Sequence, residues 1–434
     1  MNSRYEQLIK KDFFDLKGHD TNIRREVMAG LIGFFTIVYI IAVNSFILSE
    51  AGLPLDGAVV ATIVTSFAGC LIMGLWANAP ILLVPGMGIN AMFTYTLVGS
   101  MGMSWQEALG LVFISGILFA IIAFTGLAGV LNRAIPQSLK EAITVGLGLF
   151  LIFIGLEKGG LIERGTNSII ELGNLADPAV IATLLTFLIA IVLFLRNVNG
   201  HFLWSILAGT GFAALFGVLP VKADAAPAIS SYGDVFAAMS FDGILSAAFV
   251  VGTFSLTMVV VFENIGLVQA HTVSSGHPEK FKKAFQANSV SAMLSGLFGT
   301  SPTVSTAETG AAIAAGGRTG LTAIVTGILF LASLLFLPFI HLIPDNAIAP
   351  VLLIIGGLMV QNVRNIDLND PTEAFPAIFL IAMIPFTQSI ADGIAFGFIL
   401  YPLLKLSSGR GREVAPPLYI IAFLFLLNFA VNLI

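Results

Sequence analysis

Charge is what this chain has least of. Of its 434 residues only 10% are Asp, Glu, Lys or Arg, against 57% hydrophobic residues, and the mean hydropathy is +0.96. Soluble domains carry roughly 25% charged residues. So few charges cannot cover so much apolar surface in water, which excludes a soluble fold and leaves a polytopic membrane protein. Cysteine is nearly absent as well. Cys70 stands alone in an apolar segment, which excludes an intrachain disulfide and any multi-cysteine metal cluster. The five histidines show no metal-ligand spacing, and no HExxH, GxSxG or phosphate-loop motif occurs, so neither a metal nor a cofactor nor an enzymatic activity is expected. GGRTG at 316–320 is a glycine-rich break carrying Arg318 rather than a phosphate loop. No basic patch with interleaved aromatics appears, so nucleic acid is not an expected partner. The first thirty residues, polar up to about residue 26, lack the short apolar core and small-residue site of a cleavable leader. The first hydrophobic segment is therefore expected to be a retained span.

What the chain has in abundance is runs of about 20 apolar residues, the length that crosses a bilayer. They lie at approximately 27–48, 57–76, 105–126, 139–156, 178–195, 203–219, 243–265, 283–299, 320–341, 347–361, 373–388, 390–406 and 417–433. Two further stretches are broken. PILLVPGMGINAMFTYTLV at 80–98 is interrupted by PGMG, and SPTVSTAETGAAIAA at 301–315 is short, polar and interrupted by proline. In each, a short extended run precedes a short helical one, a geometry tolerated in a membrane only where protein or a cavity surrounds it.

The distribution of Lys and Arg tests the count. With the N-terminus, Lys10, Lys11, Arg24 and Arg25, in the cytoplasm and both broken segments counted as crossings, the other basic loops fall on one side. These carry Arg133 and Lys140, Arg196, Lys280 with Lys282 and Lys283, Arg318, Arg364, and Arg410 with Arg412. The loop 49–56, with Glu50 and Asp56 and neither Lys nor Arg, falls on the other. Omitting either broken segment spoils the pattern. Seven crossings then precede the long loop at 220–242 and seven follow it, with 417–433 as an extra segment. An odd number per half gives the halves opposite orientation. VFISGILF at 112–119 after the first broken segment is echoed by AIVTGILF at 323–330 after the second. Inverted repeats with broken helices in matching positions point to a transport site near the bilayer midplane.

Carboxylates inside a membrane cost roughly 2.5–3.5 kcal/mol each on insertion scales, so each is a functional candidate. Glu263 in TMVVVFENIG and Glu308 at the second strand-to-helix junction stand out. The plainer readings are a solvated acid at the membrane boundary for Glu263, and for Glu308 an acid in a first helical turn paired with Arg318. The functional reading joins them. Two carboxylates on one cavity accept hydrogen bonds from N–H groups of a planar heterocycle, and burial of a carboxylate favours its neutral form, as proton coupling requires. Asn90 can read a heterocycle edge or cap the half-helix that follows it. Gly86 and Gly88 permit close approach of a ligand, and both half-helices aim free N–H groups at the site. Asn44, Asn264, Asn288, Thr306, His341 and Asp392 are weaker candidates, since polar residues in a bundle more often make interhelical hydrogen bonds. Phe93 and Phe262 could stack on a planar ligand.

At these residues the chain resembles the AzgA-like hypoxanthine–adenine–guanine permeases of the nucleobase–cation symporters. AGLIGFFTIVYIIAVNSFILSEAGLP, ANAPILLVPGMGINAMFTYTLV, GAAIAAGGRTGLTAIVTG and SIADGIAFGFILYPLLKL carry the likeness, which covers nearly the whole chain. The resemblance implies fourteen transmembrane segments in two inverted repeats of seven. In it, segments three and ten pair short strands and half-helices in a core domain that moves against a gate domain. It also implies proton-coupled uptake of purine bases. Asn90 matches the family's substrate asparagine, Glu308 the glutamate after the second strand, and Glu263 the place of an aspartate in an FDT-like motif. FENIGL departs from that motif by a longer acid and by Asn264 for threonine. STAETG departs too, lacking the aromatic before its glutamate and the Ser-Ala after it.

The expected architecture is therefore an all-α membrane fold. It comprises a cytoplasmic segment 1–26, a first repeat 27–219, an extracellular linker 220–242, a second repeat 243–406 and a C-terminal segment 407–434. The expected activity is secondary transport of adenine, guanine or hypoxanthine across the plasma membrane by alternating access. Glu263, Glu308, Asn90, Thr306 and Gly88 would bind the base, and Glu263 or Glu308 would carry the coupling. The alternatives are another nucleobase or a small anion on the same fold, or a membrane binding protein without transport. Proton or Na⁺ as the coupled ion, and monomer or homodimer, stay open at this point.

Overall fold

A computed structural model describes residues 13–165, 168–220 and 229–431. Lys10 and Lys11, part of the linker expected at 220–242, and the end of the 417–433 stretch lie outside the described residues. The chain opens with α1 (Ile23–Ile37) and α2 (Ile40–Glu50), two parts of one span bent at Val38–Tyr39, followed by α3 (Leu55–Ile72). The first broken segment is strand β1 (Leu83–Pro85) and the one-turn helix α4 (Met87–Ala91), which runs on as a widened helix over Met92–Ser100. Then come α5 (Trp105–Thr125), the short α6 (Leu127–Ala134) and α7 (Gln137–Lys158). A small hairpin, β2 (Ile162–Arg164) with β3 (Ile170–Leu172), leads to α8 (Pro178–Leu195) and α9 (His201–Leu215).

The second half repeats the order. It has α10 (Ala247–Ser274), α11 (Phe281–Phe298), strand β4 (Thr303–Ser305) with α12 (Thr309–Ala314), and α13 (Gly320–Ala332) with the short α14 (Leu337–Ile340). After these come α15 (Asp345–Val360), α16 (Pro371–Thr387), α17 (Ile390–Ser407) and the extra C-terminal helix α18 (Pro416–Val431). Helix starts follow local chemistry. The Asn22 side chain accepts from the Arg25 N–H at 3.0 Å, and Ser104 and Glu107 form a reciprocal capping box. Asp177 and Asp370 each cap a helix whose first residue is proline.

Among the described residues nine helices are long and apolar enough to cross a membrane, fewer than the fourteen crossings expected. The difference has physical causes. Helices α9 and α16 are apolar but short, and α11 carries Lys282, Lys283, Gln286 and Asn288. The remaining two crossings are the broken segments, in which no continuous helix forms.

Those two segments meet in the interior. β1 pairs antiparallel with β4 in the register Leu83 to Ser305, Val84 to Val304 and Pro85 to Thr303, with all six residues buried. Three residues of each strand satisfy one another's backbone where neither lipid nor water could. The Leu82 N–H donates to Thr309 Oγ1 at 3.2 Å, extending the tie beyond the strands.

The helices sort into two packing groups. One holds α1 to α5 and α10 to α13 around the strand pair; the other holds α7, α8, α9, α15, α16 and α17. Within the second group α7 and α15 cross at two glycines. A Cβ on Gly148 would meet the Gly356 carbonyl oxygen at 2.7 Å, and one on Gly356 the Gly148 oxygen at 2.5 Å. Small residues at such crossings let backbones approach where lipid offers no hydrophobic drive to associate. The described part of the linker is held down: the Ala237 N–H donates to Leu297 O at 2.8 Å and the Ser240 N–H to Gln106 O at 2.8 Å.

Candidate functional site

A cavity of about 770 Å³ lies between the two groups. Its inner end is formed by the junctions that follow the two strands, through Gly86, Gly88, Thr306 and Glu308, and by Glu263 of α10. From there it runs to the membrane face that carries α6, reaching the exposed Asn132 and Gln137. Leu147 of α7 and Met359 of α15 contribute the opposite wall. Glu263, Glu308, Thr306 and Gly88 thus come together on one cavity. A Cβ on Gly88 would approach Leu147 Cδ1 to 3.1 Å, so this glycine lets the junction seat against the second group.

The two carboxylates are held differently. Glu308 sits in the turn between β4 and α12, where the Thr309 N–H donates to Thr306 O and the Gly310 N–H to Ala307 O. Its Oε1 accepts from the Tyr39 hydroxyl at 2.6 Å. Glu263 projects from α10, and its buried Oε2 has no hydrogen-bond partner. The hydroxyl of Thr306 is likewise buried and unpartnered. Both atoms belong to residues that line the cavity, and Asn90 Oδ1, behind the junction, is a further buried acceptor without a partner. Arg318 does not pair with Glu308. Its guanidinium donates to Ile313 O and Gly317 O, at the C-terminal end of α12.

Asn90 is not brought to the cavity. It is fully buried behind the junction, where its Nδ2 donates to Asn44 Oδ1 at 3.2 Å. Asn44 is a hub joining four segments. It donates to Thr62 Oγ1 at 2.8 Å and Thr300 Oγ1 at 3.0 Å, and accepts from Asn90 and from the Ser301 hydroxyl. The interhelical reading of Asn264 and Asn288 holds too. Asn264 Oδ1 accepts from the Ser305 N–H at 2.9 Å and from Asn288 Nδ2, while its own Nδ2 donates to Val260 O. His271, two turns further along α10, bonds Ser305 Oγ at 2.9 Å. The helix that carries Glu263 therefore also pins the strand that leads to Glu308. His341 pairs with Asp56 at 2.6 Å, outside the cavity lining, and Asp392 lies in the first turn of α17. Phe262 lines the cavity, whereas Phe93 is buried elsewhere.

Two side chains that the sequence did not single out matter here. Tyr39 lines the cavity from the bend between α1 and α2, and its ring packs edge-on against Phe202 of α9 at 4.8 Å between centroids. A tyrosine inside a span was the available signal, because its hydroxyl must find a partner when buried. Glu26 is fully buried at the start of α1. Its carboxylate accepts from the Arg318 N–H at 3.0 Å, the Thr319 N–H at 3.2 Å and the Thr319 and Thr322 hydroxyls at 2.9 and 2.6 Å. The GGRTG break is thus folded around an acid some 290 positions earlier in the chain.

A family model described as Permease family (Xan_ur_permease) matches residues 24–396. Nucleobase transporter PlAzg2 of Paenibacillus larvae is 52% identical over 383 residues, covering 88% of this chain and 77% of that protein. Guanine/hypoxanthine permease PbuO of Bacillus subtilis is 38% identical, covering 96% and 99%, and adenine permease AdeP of Escherichia coli is 34% identical, covering 96% and 94%. Among solved structures, the transmembrane domain of the cyanobacterial bicarbonate transporter BicA superposes with a TM-score of 0.66 at 14% identity, over 87% of this chain and 97% of that domain. SLC26A9 gives 0.64 at 13% identity, over 89% and 66%. These two likenesses concern the fold alone.

Proposed function

The chain belongs to the Permease family whose model spans residues 24–396, and on that premise we propose that it is a secondary active transporter of purine nucleobases. The observation that carries the reading is the pair Glu263 and Glu308. They come from two different crossings, face one cavity, and leave a buried carboxylate oxygen unpartnered. Ring and exocyclic N–H groups of a purine are the donors that two carboxylates accept, and Phe262 offers the ring a face. Relatives named as adenine and as guanine/hypoxanthine permeases support the same class.

Coupling falls to the same residues. A carboxyl group that alternates between charged and neutral forms lets the loaded site move through an apolar surround more cheaply than a fixed charge would. The proton is the ion that this chemistry favours. The group carrying the strand pair would shift against the other group, exposing the cavity in turn to each side. With the N-terminus cytoplasmic in the plasma membrane, as the Lys and Arg distribution predicts, the cavity opens inward. A small anion fits less well, because both carboxylates would repel it.

The test is uptake of radiolabelled adenine, guanine, hypoxanthine, xanthine and uracil by cells lacking their own permeases, with and without a protonophore. Accumulation of a purine that the protonophore abolishes and that Glu308→Gln loses supports the reading. Equilibrium binding with no accumulation would instead make this a membrane binding protein.

A further inference from the structure

The contact between Tyr39 and Glu308 has a form that packing alone does not require. Tyr39 lies at the bend in the first span, where the Ile41 and Ala42 N–H groups bond carbonyls three residues back, both at 3.1 Å. That local tightening turns the tyrosine out of the helix line and into the cavity wall. Its ring is 3% exposed, and its hydroxyl crosses to a carboxylate 269 positions away. The separation of 2.6 Å is that of a well-formed hydroxyl-to-carboxyl hydrogen bond. One Glu308 oxygen is thereby committed, while Glu263 keeps an oxygen free. The same ring rests on Phe202, in the other packing group.

We propose that Tyr39 is a positioning residue of the site. Its hydroxyl fixes one oxygen of Glu308 so that the other faces an N–H donor of the base, and its ring ties that arrangement to α9 across the group boundary. This rests on the nucleobase reading above and adds a division of labour to it. Glu308 is held for recognition by the first span, and Glu263 is the carboxylate left free to respond. When the two groups shift, Tyr39 must leave Phe202 while keeping Glu308, so occupancy of the site and separation of the groups meet in one side chain.

Phenylalanine at position 39 keeps the ring and deletes the hydroxyl, which separates the two roles. Full-length wild type, Tyr39→Phe and Phe202→Ala would be placed in lipid nanodiscs for equilibrium binding of the purine that wild type takes up best. The same proteins in vesicles would give KM and turnover. Removing one partner of a buried hydrogen bond costs about 10–100-fold, so Tyr39→Phe is expected to raise Kd and KM together by that factor with turnover within about twofold. Phe202→Ala is expected to leave Kd unchanged and alter turnover. Wild-type affinity in the folded fraction of Tyr39→Phe would overturn the proposal and reduce Tyr39 to a structural brace. An equal rise in Kd for Phe202→Ala would overturn the second role. Wild type binding no base at all would sink the nucleobase reading, and the proposal with it.

Discussion

Lys158, the last residue of α7, is ion-paired with Glu50, the last residue of α2, and lies 3.5 Å from Asp345 at the start of α15. Glu50 also accepts from the Tyr95 hydroxyl at 2.8 Å. The pair joins the two packing groups at the membrane face opposite the cavity's opening, and on the alternating-access proposal it would hold that face shut. On that proposal Lys158→Gln removes a bond specific to the closed arrangement. A partly exposed pair of this kind contributes on the order of 1 kcal/mol, which shifts a two-state balance about fivefold. A cysteine introduced for Thr144, a cavity-lining residue on α7, should then react more slowly with a maleimide in the Lys158→Gln background. An unchanged rate would mean that the pair does not distinguish the two arrangements.

Glu26 carries the loop 318–322 on four hydrogen bonds. Truncation to alanine strands buried donors at about 1–3 kcal/mol each. Glu26→Ala should therefore abolish the monodisperse peak in size-exclusion chromatography of the detergent-solubilised protein. Glu26→Gln, which keeps one carbonyl oxygen, should retain part of it.

Asn264 replaces the threonine expected of an FDT-like motif, and its carbonyl oxygen is the acceptor for the Ser305 N–H. Asn264→Ala leaves that strand N–H and the Asn288 amide without an acceptor, at a cost of about 2–6 kcal/mol. The apparent Tm should fall by several degrees. Because β4 leads directly to Thr306 and Glu308, ligand affinity should drop more than for Asn44→Ser, which loosens the hub behind the site. Equal losses for both would argue against a specific role for the strand anchor.

Lys280, on the loop between α10 and α11, donates to Asn78 O at 2.5 Å and to Arg318 O at 3.4 Å. Burial opposes its charge and brings its pKa down to about 8, with nearby Glu279, Glu26 and Asp15 acting the other way. The unfolded chain, with an ordinary lysine, binds the proton more tightly between pH 8 and about 10.5. Stability should therefore rise with pH across that window as the strain of a buried charge is relieved. The apparent Tm of wild type should climb relative to Lys280→Gln from pH 8 to 10. A difference that stays flat, or falls, would contradict the burial of the charge.

The course of the chain was legible because two simple signals act over long stretches: apolar length sets the spans, and Lys and Arg set their order. PGMG and the proline at 302 announced the broken segments, since proline beside glycine or serine weakens a helix from both sides, whereas the isolated Pro350, Pro376, Pro385 and Pro402 are absorbed inside helices. Glu263 and Glu308 were legible because a carboxylate in lipid is costly wherever it sits. What remained hidden was direction. The sequence offers Asn90 as an amide in the right segment, but the turn at Gly86 aims it at Asn44, and only the fold decides that. Tyr39 and Glu26 were missed for a related reason, since their partners lie 269 and about 290 positions away and no local pattern encodes them.

The strand pair at the centre of the molecule also sets a timetable. Leu82 and Thr309 are joined although 227 positions separate them. At about 5–20 residues per second of synthesis, β1 exists for roughly 10–45 s before β4 is made. For that interval the partner that β1 has in the finished molecule does not yet exist. A first half held at the insertion machinery, or at a wet interface, would keep the strand's backbone groups solvated until the second arrives. Slowing translation between the two halves should thus expose the newborn chain to quality-control proteases more than slowing it anywhere after residue 320.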